Sequence, residues 1–177
     1  DVEKIIANKD AGTNFQTDIE KNKWASKNVE LSKNISLIVN ELYKSDFIKN
    51  LEKLCRIEDL FSTNLGNIEL ANYHEMYESG FLGTHVDHSS EPKTGLPHVL
   101  NIILYLSKKW DKQWGGATML ANKNGTKIEK IIDYIPNRAV IFLHSPFTFH
   151  GVTKIKNNKT KRSSIYADYY SKNKNPY

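Results

Sequence analysis

Cysteine, long apolar runs and a secretory type of leader are the features that this sequence lacks. Cys55 is the single cysteine, so an internal disulfide is impossible and disulfide-stabilised secreted scaffolds are excluded. No stretch reaches the roughly 18 apolar residues that a membrane span needs. The start of the chain also shows no charged segment followed by an apolar one. We therefore expect a cytoplasmic protein with no membrane association.

What is present is the composition of an ordinary globular domain. Hydrophobic residues make up 39% and charged residues 25% of 177 residues, which predicts one folded domain over residues 1–177. The net charge of +5 is concentrated late in the chain, in a run made of Lys154, Lys156, Lys159 and Lys161. Such a run is typical of a solvated hairpin loop, and less often of a surface that binds acidic substrates or nucleic acid.

The chain divides into a helical first part and a β-rich second part. Ser32 and Ser45 stand as N-caps before two amphipathic runs, Ile35 to Leu42 and Phe47 to Cys55. From Ile68 onward, short runs rich in β-branched and aromatic residues alternate with clusters of Gly, Pro, Asn and Ser. Eight candidate strands lie near residues 68–76, 81–88, 98–107, 116–122, 127–134, 138–144, 147–155 and 162–170.

Eight short strands predict a mainly β protein with N-terminal helices, built as a double-stranded β-helix or jelly roll. The strand from Val99 to Leu106 is apolar on both faces and therefore needs cover on both sides. We expect the two helices to pack on the outer face of one sheet, while its inner face lines the barrel. This organisation gives residues 1–67 as mainly helical support, 68–170 as the jelly-roll core and 171–177 as a frayed tail.

One histidine and one carboxylate are spaced for a shared metal ion. His85 and Asp87 are two residues apart, so on a strand they point to the same face. His150, which lies 65 positions after His85 in a late strand, is the natural third ligand, because a jelly roll brings such strands side by side. Two histidines and one carboxylate with open positions are typical of non-haem Fe(II) oxygenases. The open positions accommodate a bidentate 2-oxo acid and dioxygen.

A cation for the far carboxylate of such an acid follows at Arg162, at the start of the next strand. The planar fork of arginine can form two parallel hydrogen bonds with a carboxylate. Parity places Ser164 on the same inward face as Arg162, and it places Tyr105 inward on a neighbouring strand.

From about Leu70 to Tyr170 the sequence resembles the prolyl 4-hydroxylase-like branch of the iron(II)- and 2-oxoglutarate-dependent oxygenases. It is most similar to the group with the hypoxia-factor and ribosomal-protein prolyl hydroxylases. The run from Asn101 to Ser107, followed by Trp110 and then Trp114-Gly115-Gly116, matches the strand, tryptophan and glycine-pair pattern of that group.

The resemblance implies Fe(II), with 2-oxoglutarate and O2 as cosubstrates and ascorbate as an optional reductant. It implies that catalysis belongs to the iron centre itself, without a separate acid or base. In the branch, an arginine at the Arg162 position and a tyrosine at the Tyr105 position bind the distal carboxylate. The remaining expected residues are Ser164, Thr118 and Val152 beside the cosubstrate, and Tyr73 and Asn101 in the substrate pocket.

For the acceptor, the resemblance favours a prolyl residue of a protein or peptide. A free amino acid or another small molecule is the alternative, and Gly80-Phe81-Leu82-Gly83 departs from the branch, which often has a second aromatic residue there. A nucleic-acid dealkylase is disfavoured, because such enzymes have a second arginine where this chain has Asp168. A non-catalytic jelly-roll module with a structural metal is the rival of another class, although spacing supplies no fourth ligand for zinc. His74, His98 and His144 are expected to be structural or exposed.

Overall fold

The computed structural model of the protein describes residues 6–7, 12–26, 29–30, 33–62, 72–156 and 159–173. Its two helices are α1 (Lys33–Leu42) and α2 (Ser45–Cys55). None of the helices in this part of the chain is long and apolar enough to cross a membrane. A 3-10 turn covers Lys112–Trp114. The strands are β1 (Ile6–Ala7), β2 (Thr13–Phe15), β3 (Glu20–Ser26), β4 (Val29–Glu30), β5 (Leu60–Phe61), β6 (Asn72–His85), β7 (His98–Tyr105), β8 (Thr118–Ala121), β9 (Ile128–Ile132), β10 (Ala139–Leu143), β11 (His150–Val152) and β12 (Arg162–Ser171).

Ten strands form one curled sheet, and the long strand β6 belongs to both of its halves. The main path runs β10-β7-β12-β6-β11-β8-β9. The first half of β6 pairs with β12, and its last residue, His85, pairs with His150 of β11. The β2–β3 hairpin lies along β6, and β5 pairs with β12. This curled half-barrel confirms the predicted mainly β jelly roll.

The helices cover the outer face of the sheet, as predicted. Leu100 and Ile102 of β7 are buried in one cluster with Leu42 of α1 and Leu51 of α2. The inner face of the same strand presents Ile103 and Tyr105, which join a different cluster. Burial of a leucine of this kind contributes about 1.5–3 kcal/mol. Strand β7 is therefore covered on both sides, which explains why its sequence is apolar on both faces.

The first part of the chain is less helical than predicted. The β2–β3 hairpin occupies it, and Trp24 of β3 is buried against Tyr73 of β6. These strands exist because β6 offers them an edge to pair with, and a local sequence pattern does not reveal a distant partner. At the second helix, Lys44 is the N-cap and Ser45 is the first helical residue. The predicted cap at Ser32 lies outside the described residues.

Two strand predictions need correction. The candidate strands at 68–76 and 81–88 are one continuous strand, β6, whose described part begins at Asn72 and ends at His85. The predicted tail begins too early, because Ser171 is the last residue of β12 and is fully buried. The other six candidates each correspond to one observed strand.

Candidate active site

His85, Asp87 and His150 meet at one end of the sheet, on its inner face. His85 Nε2 lies 3.3 Å from Asp87 Oδ1, and His150 Nε2 lies 3.4 Å from Asp87 Oδ2. One ligand atom from each of the three residues lies within 4.8 Å of the others. The pairing of β6 with β11 sets the two histidines directly opposite each other. Asp87 was predicted to lie on the strand. It lies instead two residues beyond the end of β6.

The backbone fixes which nitrogen of each imidazole faces the centre. His85 Nδ1 is 3.0 Å from the Gly83 carbonyl oxygen, and His150 Nδ1 is 3.4 Å from that of Thr148. A carbonyl oxygen accepts, so each Nδ1 carries a proton, and Nε2 is the nitrogen left to bind a metal once it is deprotonated. Metal-binding histidines commonly donate their other N–H in this way. The two imidazoles are therefore oriented as ligands before a metal arrives.

Burial and the local charges shift the pKa values of all three residues. Burial would raise the pKa of Asp87, but the hydrogen bond from His85 and the neighbouring imidazoles hold it well below its ordinary value. Burial lowers the pKa of His150 to about 4, against the opposing charge of Asp87. Burial also works to lower the pKa of His85, but the bonds to Asp87 and Gly83 outweigh it and the pKa is raised. At neutral pH the site thus offers a carboxylate and a neutral His150.

Arg162 is fully buried and incompletely bonded. Its Nε donates to the Gly116 carbonyl oxygen at 2.8 Å, and its Nη1 donates to Ser164 Oγ at 3.2 Å. The rings of Tyr134 and Tyr105 lie 4.7 and 5.2 Å from the guanidinium carbon. Nη2 is buried without a hydrogen-bond partner among the described residues, and no carboxylate of this part of the chain forms a salt bridge with Arg162. A buried cation with an unused donor is costly unless an anion binds it.

The glycine pair shapes the wall behind Arg162. Gly115 and Gly116 have φ values of +74° and +72°, which L side chains rarely adopt. A Cβ on Gly116 would lie 3.1 Å from Cδ of Arg162, and one on Gly115 would lie 2.1 Å from the Lys154 carbonyl oxygen. The absence of side chains here lets the loop approach closely enough for the Gly116 carbonyl to hold the guanidinium.

The other residues expected beside the cosubstrate surround Arg162. Tyr105 and Thr118 are both buried, and their hydroxyl oxygens are 2.6 Å apart. Ser164 pairs with Tyr105 across β7 and β12. Val152, two residues after His150 on β11, is buried opposite Thr118 of β8. The inner face therefore combines a metal triad at one place with a cation, three hydroxyls and apolar cover at another.

A family model, described as the 2OG-Fe(II) oxygenase superfamily, matches residues 69–167. The chain belongs to this superfamily. The superfamily uses Fe(II), 2-oxoglutarate and O2. The triad of this chain has the two histidines and one carboxylate of such an iron site, and the buried cation suits the anionic cosubstrate. The unbonded Nη2 of Arg162 is the structural feature that fits a carboxylate of 2-oxoglutarate. No curated protein sequence matches the chain.

Solved structures of 2OG-Fe(II) oxygenases share its fold. A Pseudomonas putida prolyl-4-hydroxylase is 12% identical with a TM-score of 0.63, over 92% of this chain and 78% of that one. A Trichoplax adhaerens prolyl hydroxylase, in complex with a hypoxia inducible factor peptide fragment, is 17% identical with a TM-score of 0.58, over 91% and 71%. A collagen prolyl hydroxylase of Paramecium bursaria Chlorella virus-1, in complex with 2-oxoglutarate, is 13% identical with a TM-score of 0.58, over 86% and 80%.

Two residues that the resemblance placed in the substrate pocket lie elsewhere or are already engaged. Tyr73 points to the outer face, where it packs with Trp24 and Ile165 beneath α1, so it does not border the metal site. Asn101 is on the inner face, but it is 1% exposed and its amide contacts Asp87 and His98. The side chain of Asn101 therefore faces a metal ligand and not an open pocket.

His74 and Tyr134 also lie at the site, although neither was predicted there. His74 pairs with Ser164, so it lies on the inner face beside the cation, and its ring packs at a tilt against Tyr166 with centroids 4.3 Å apart. Burial and the charges of Lys23 and Arg162 keep its pKa well below the ordinary value, so the ring is neutral. Tyr134 precedes β10 and donates to the Ser163 carbonyl oxygen at 2.5 Å. No sequence signal marks either residue, because the position of His74 depends on the register of β6 with β12.

Proposed function

We propose that this protein hydroxylates prolyl residues of a protein or peptide, with Fe(II) held by His85, Asp87 and His150. Arg162 would bind the distal carboxylate of 2-oxoglutarate, with Tyr105, Thr118 and Ser164 beside it and Val152 as apolar cover. The observation that carries the proposal is the pairing, on one inner face, of a three-ligand metal site with a buried cation that has an unused donor.

The bound groups supply the oxidation, in which O2, 2-oxoglutarate and a C–H bond give succinate, carbon dioxide and a hydroxyl group. The residues of this chain hold the bound groups in position. The backbone carbonyls of Gly83 and Thr148 orient the two imidazoles, and the Gly116 carbonyl orients the guanidinium. Holding reactants in a productive geometry removes much of the entropic cost of their encounter. No side chain of the site needs to act as an acid or base.

A peptide acceptor is supported by two observations. The solved structures that share the fold include prolyl hydroxylases, one of them with a peptide bound. The side chains of His85 and Asp87 are 23% and 27% exposed, so the metal site opens to solvent on one side. A site that is open to solvent suits a peptide better than a free amino acid.

The first test concerns the cofactor. Fe(II) and then 2-oxoglutarate are added without oxygen, and the weak visible charge-transfer band of a chelated 2-oxo acid is recorded. The band should form in the native protein and should be absent from His150→Ala. Lys123→Ala, at an exposed position of the loop between β8 and β9, is the control and should keep the band. A folded native protein that binds iron and gives no band would favour the non-catalytic metal-binding module.

The second test concerns the acceptor. Proline-containing peptides, their proline-to-alanine counterparts and free amino acids are incubated with Fe(II), 2-oxoglutarate, ascorbate and oxygen. Mass spectrometry should show one added oxygen on the proline peptides alone, matched by an equal amount of succinate. Hydroxylation of a free amino acid, with all peptides unchanged, would establish the small-molecule alternative in place of the prolyl proposal.

A further inference from the structure

A chain of hydrogen bonds leads from the metal ligand Asp87 into the core of the sheet. Asn101 Nδ2 donates to Asp87 Oδ2 at 2.9 Å, and Asn101 Oδ1 lies 2.9 Å from His98 Nε2. Asn101 and His98 are only 1% and 2% exposed. Neither residue is a metal ligand in the proposed site. Their side chains are nevertheless directed toward it.

The chemistry of the groups fixes the direction of these bonds. An ionised carboxylate only accepts hydrogen bonds, so the amide nitrogen of Asn101 must face Asp87. The amide oxygen then faces His98 Nε2. His98 Nδ1 lies 3.0 Å from the His88 carbonyl oxygen, so both ring nitrogens face acceptors, and a neutral ring donates to one of them at a time. With its amide in this orientation, Asn101 always presents a donor to Asp87. The reverse orientation would set two oxygens against each other at that distance.

The ring of His98 is itself held in place. It stacks on His88 with centroids 4.7 Å apart and on His144 with centroids 4.2 Å apart. Asp168 pairs with Asn101 across β12 and β7, and its Oδ1 lies 3.7 Å from His98 Nε2. A ring clamped between two others has little rotational freedom, so Nε2 stays directed at the amide of Asn101.

We propose that Asn101 is a positioning residue that fixes the carboxylate of Asp87 for metal binding, and that His98 acts through Asn101 by orienting its amide. The inference rests on the proposed metal site. Its physical basis is that a ligand held by outer hydrogen bonds does not need to be ordered when the ion binds. Loss of such outer partners typically weakens metal binding about 10–100-fold.

The test measures the dissociation constant of Mn(II) by anaerobic titration, without 2-oxoglutarate. Asn101→Leu keeps nearly the same volume and removes the donor, so we expect binding about 10–100-fold weaker than in the native protein. Ile103→Ala, two residues along on the same face of β7 and equally buried, should change the constant less than about twofold. If Asn101 only filled space, Asn101→Leu would bind Mn(II) as tightly as the native protein, and the proposal would be overturned.

A double-mutant comparison tests the role of His98. His98→Gln should weaken Mn(II) binding less than Asn101→Leu does, and the double variant should bind as Asn101→Leu alone, because His98 acts only through Asn101. Additive losses in the double variant would show that His98 acts independently.

With saturating iron, the KM for 2-oxoglutarate should stay unchanged in Asn101→Leu.

The native protein separates this inference from the proposed function. If native protein fails to bind Mn(II) and forms no charge-transfer band with iron, the metal site itself is disproved. If native protein binds Mn(II) and the Asn101→Leu variant binds it equally well, only the positioning role is disproved. Thermal unfolding of each variant without metal shows whether the fold is intact before either conclusion is drawn.

Discussion

At the scale of single residues, the most demanding feature is the cation of Arg162. Its guanidinium is fully buried beside two tyrosine rings, and one nitrogen has no hydrogen-bond partner among the described residues. Proteins seldom keep such a group for stability, because a buried charge that lacks a counter-ion costs several kcal/mol. The arrangement is explained if an anionic ligand completes it.

Replacing Arg162 by Gln should raise the KM for 2-oxoglutarate by at least about 30-fold, since removing one partner of a buried charge pair costs roughly 2–5 kcal/mol. Arg162→Lys should recover part of the loss, because it keeps the charge and loses the fork. Steady-state succinate formation at varied 2-oxoglutarate measures both. An unchanged KM in Arg162→Gln would remove Arg162 from this role.

Two neighbouring tyrosines should behave differently when each loses its hydroxyl. Tyr105→Phe removes the bond to Thr118 beside the cation and should raise the KM for 2-oxoglutarate about 3–10-fold, as expected for one hydrogen bond. Tyr134→Phe removes the acceptor for the Ser107 amide and should instead lower the free energy of unfolding by about 1–3 kcal/mol. Kinetics and urea unfolding on both variants make the comparison. Identical profiles would contradict the assigned roles.

At the scale of elements, the loop before β8 depends on a backbone that excludes side chains. Gly115→Ala would set a Cβ against the Lys154 carbonyl, so we expect a loss of more than about 2 kcal/mol in the free energy of unfolding. Gly95→Ala is the matched control, because Gly95 also has a positive φ but nothing lies within 4 Å of an added Cβ. It should cost about 1 kcal/mol. Equal costs in urea unfolding would show that the contact with Lys154 is unimportant.

The same scale shows what the sequence could and could not predict. The opposition of His85 and His150 was predictable, because strand parity and late position together bring these residues into register. The residue of β6 that faces inward near Arg162 was not predictable. Between Leu82 and His85, strand β6 advances by three residues while its partner β11 advances by two, so β6 contains one extra residue. This extra residue reverses the alternation, so that His74 faces inward and Tyr73 outward. Bulges of this kind leave no reliable mark in a single sequence.

At the scale of the whole molecule, several buried histidines make the fold sensitive to acid. Burial lowers the pKa of His74, His98, His144 and His150. Below pH 6.5 these histidines therefore bind protons in the unfolded chain but not in the folded chain. Their contribution to the free energy of unfolding is complete above this pH and is lost as the pH falls through it. His85, with a raised pKa, opposes the trend but is outnumbered.

Urea unfolding with a chelator present should show stability falling between pH 6.5 and pH 4, by about 1.4 kcal/mol per pH unit for each such histidine that stays neutral. His144→Gln should flatten this slope, whereas substitution of an exposed lysine such as Lys154→Gln should leave it unchanged. A native protein equally stable at pH 7 and pH 5 would contradict the assignment of buried neutral imidazoles.

The pairing of β6 with β11 would also make a metal ion at the proposed site a reversible cross-link. Its ligands come from parts of the chain 65 residues apart, and an ion that ties such distant points together offsets part of the entropy of closing the loop between them. Removal of the ion would release the short strand β11 before the helix-covered strands. The same contact that creates the reaction centre would then also decide which half of the sheet opens first.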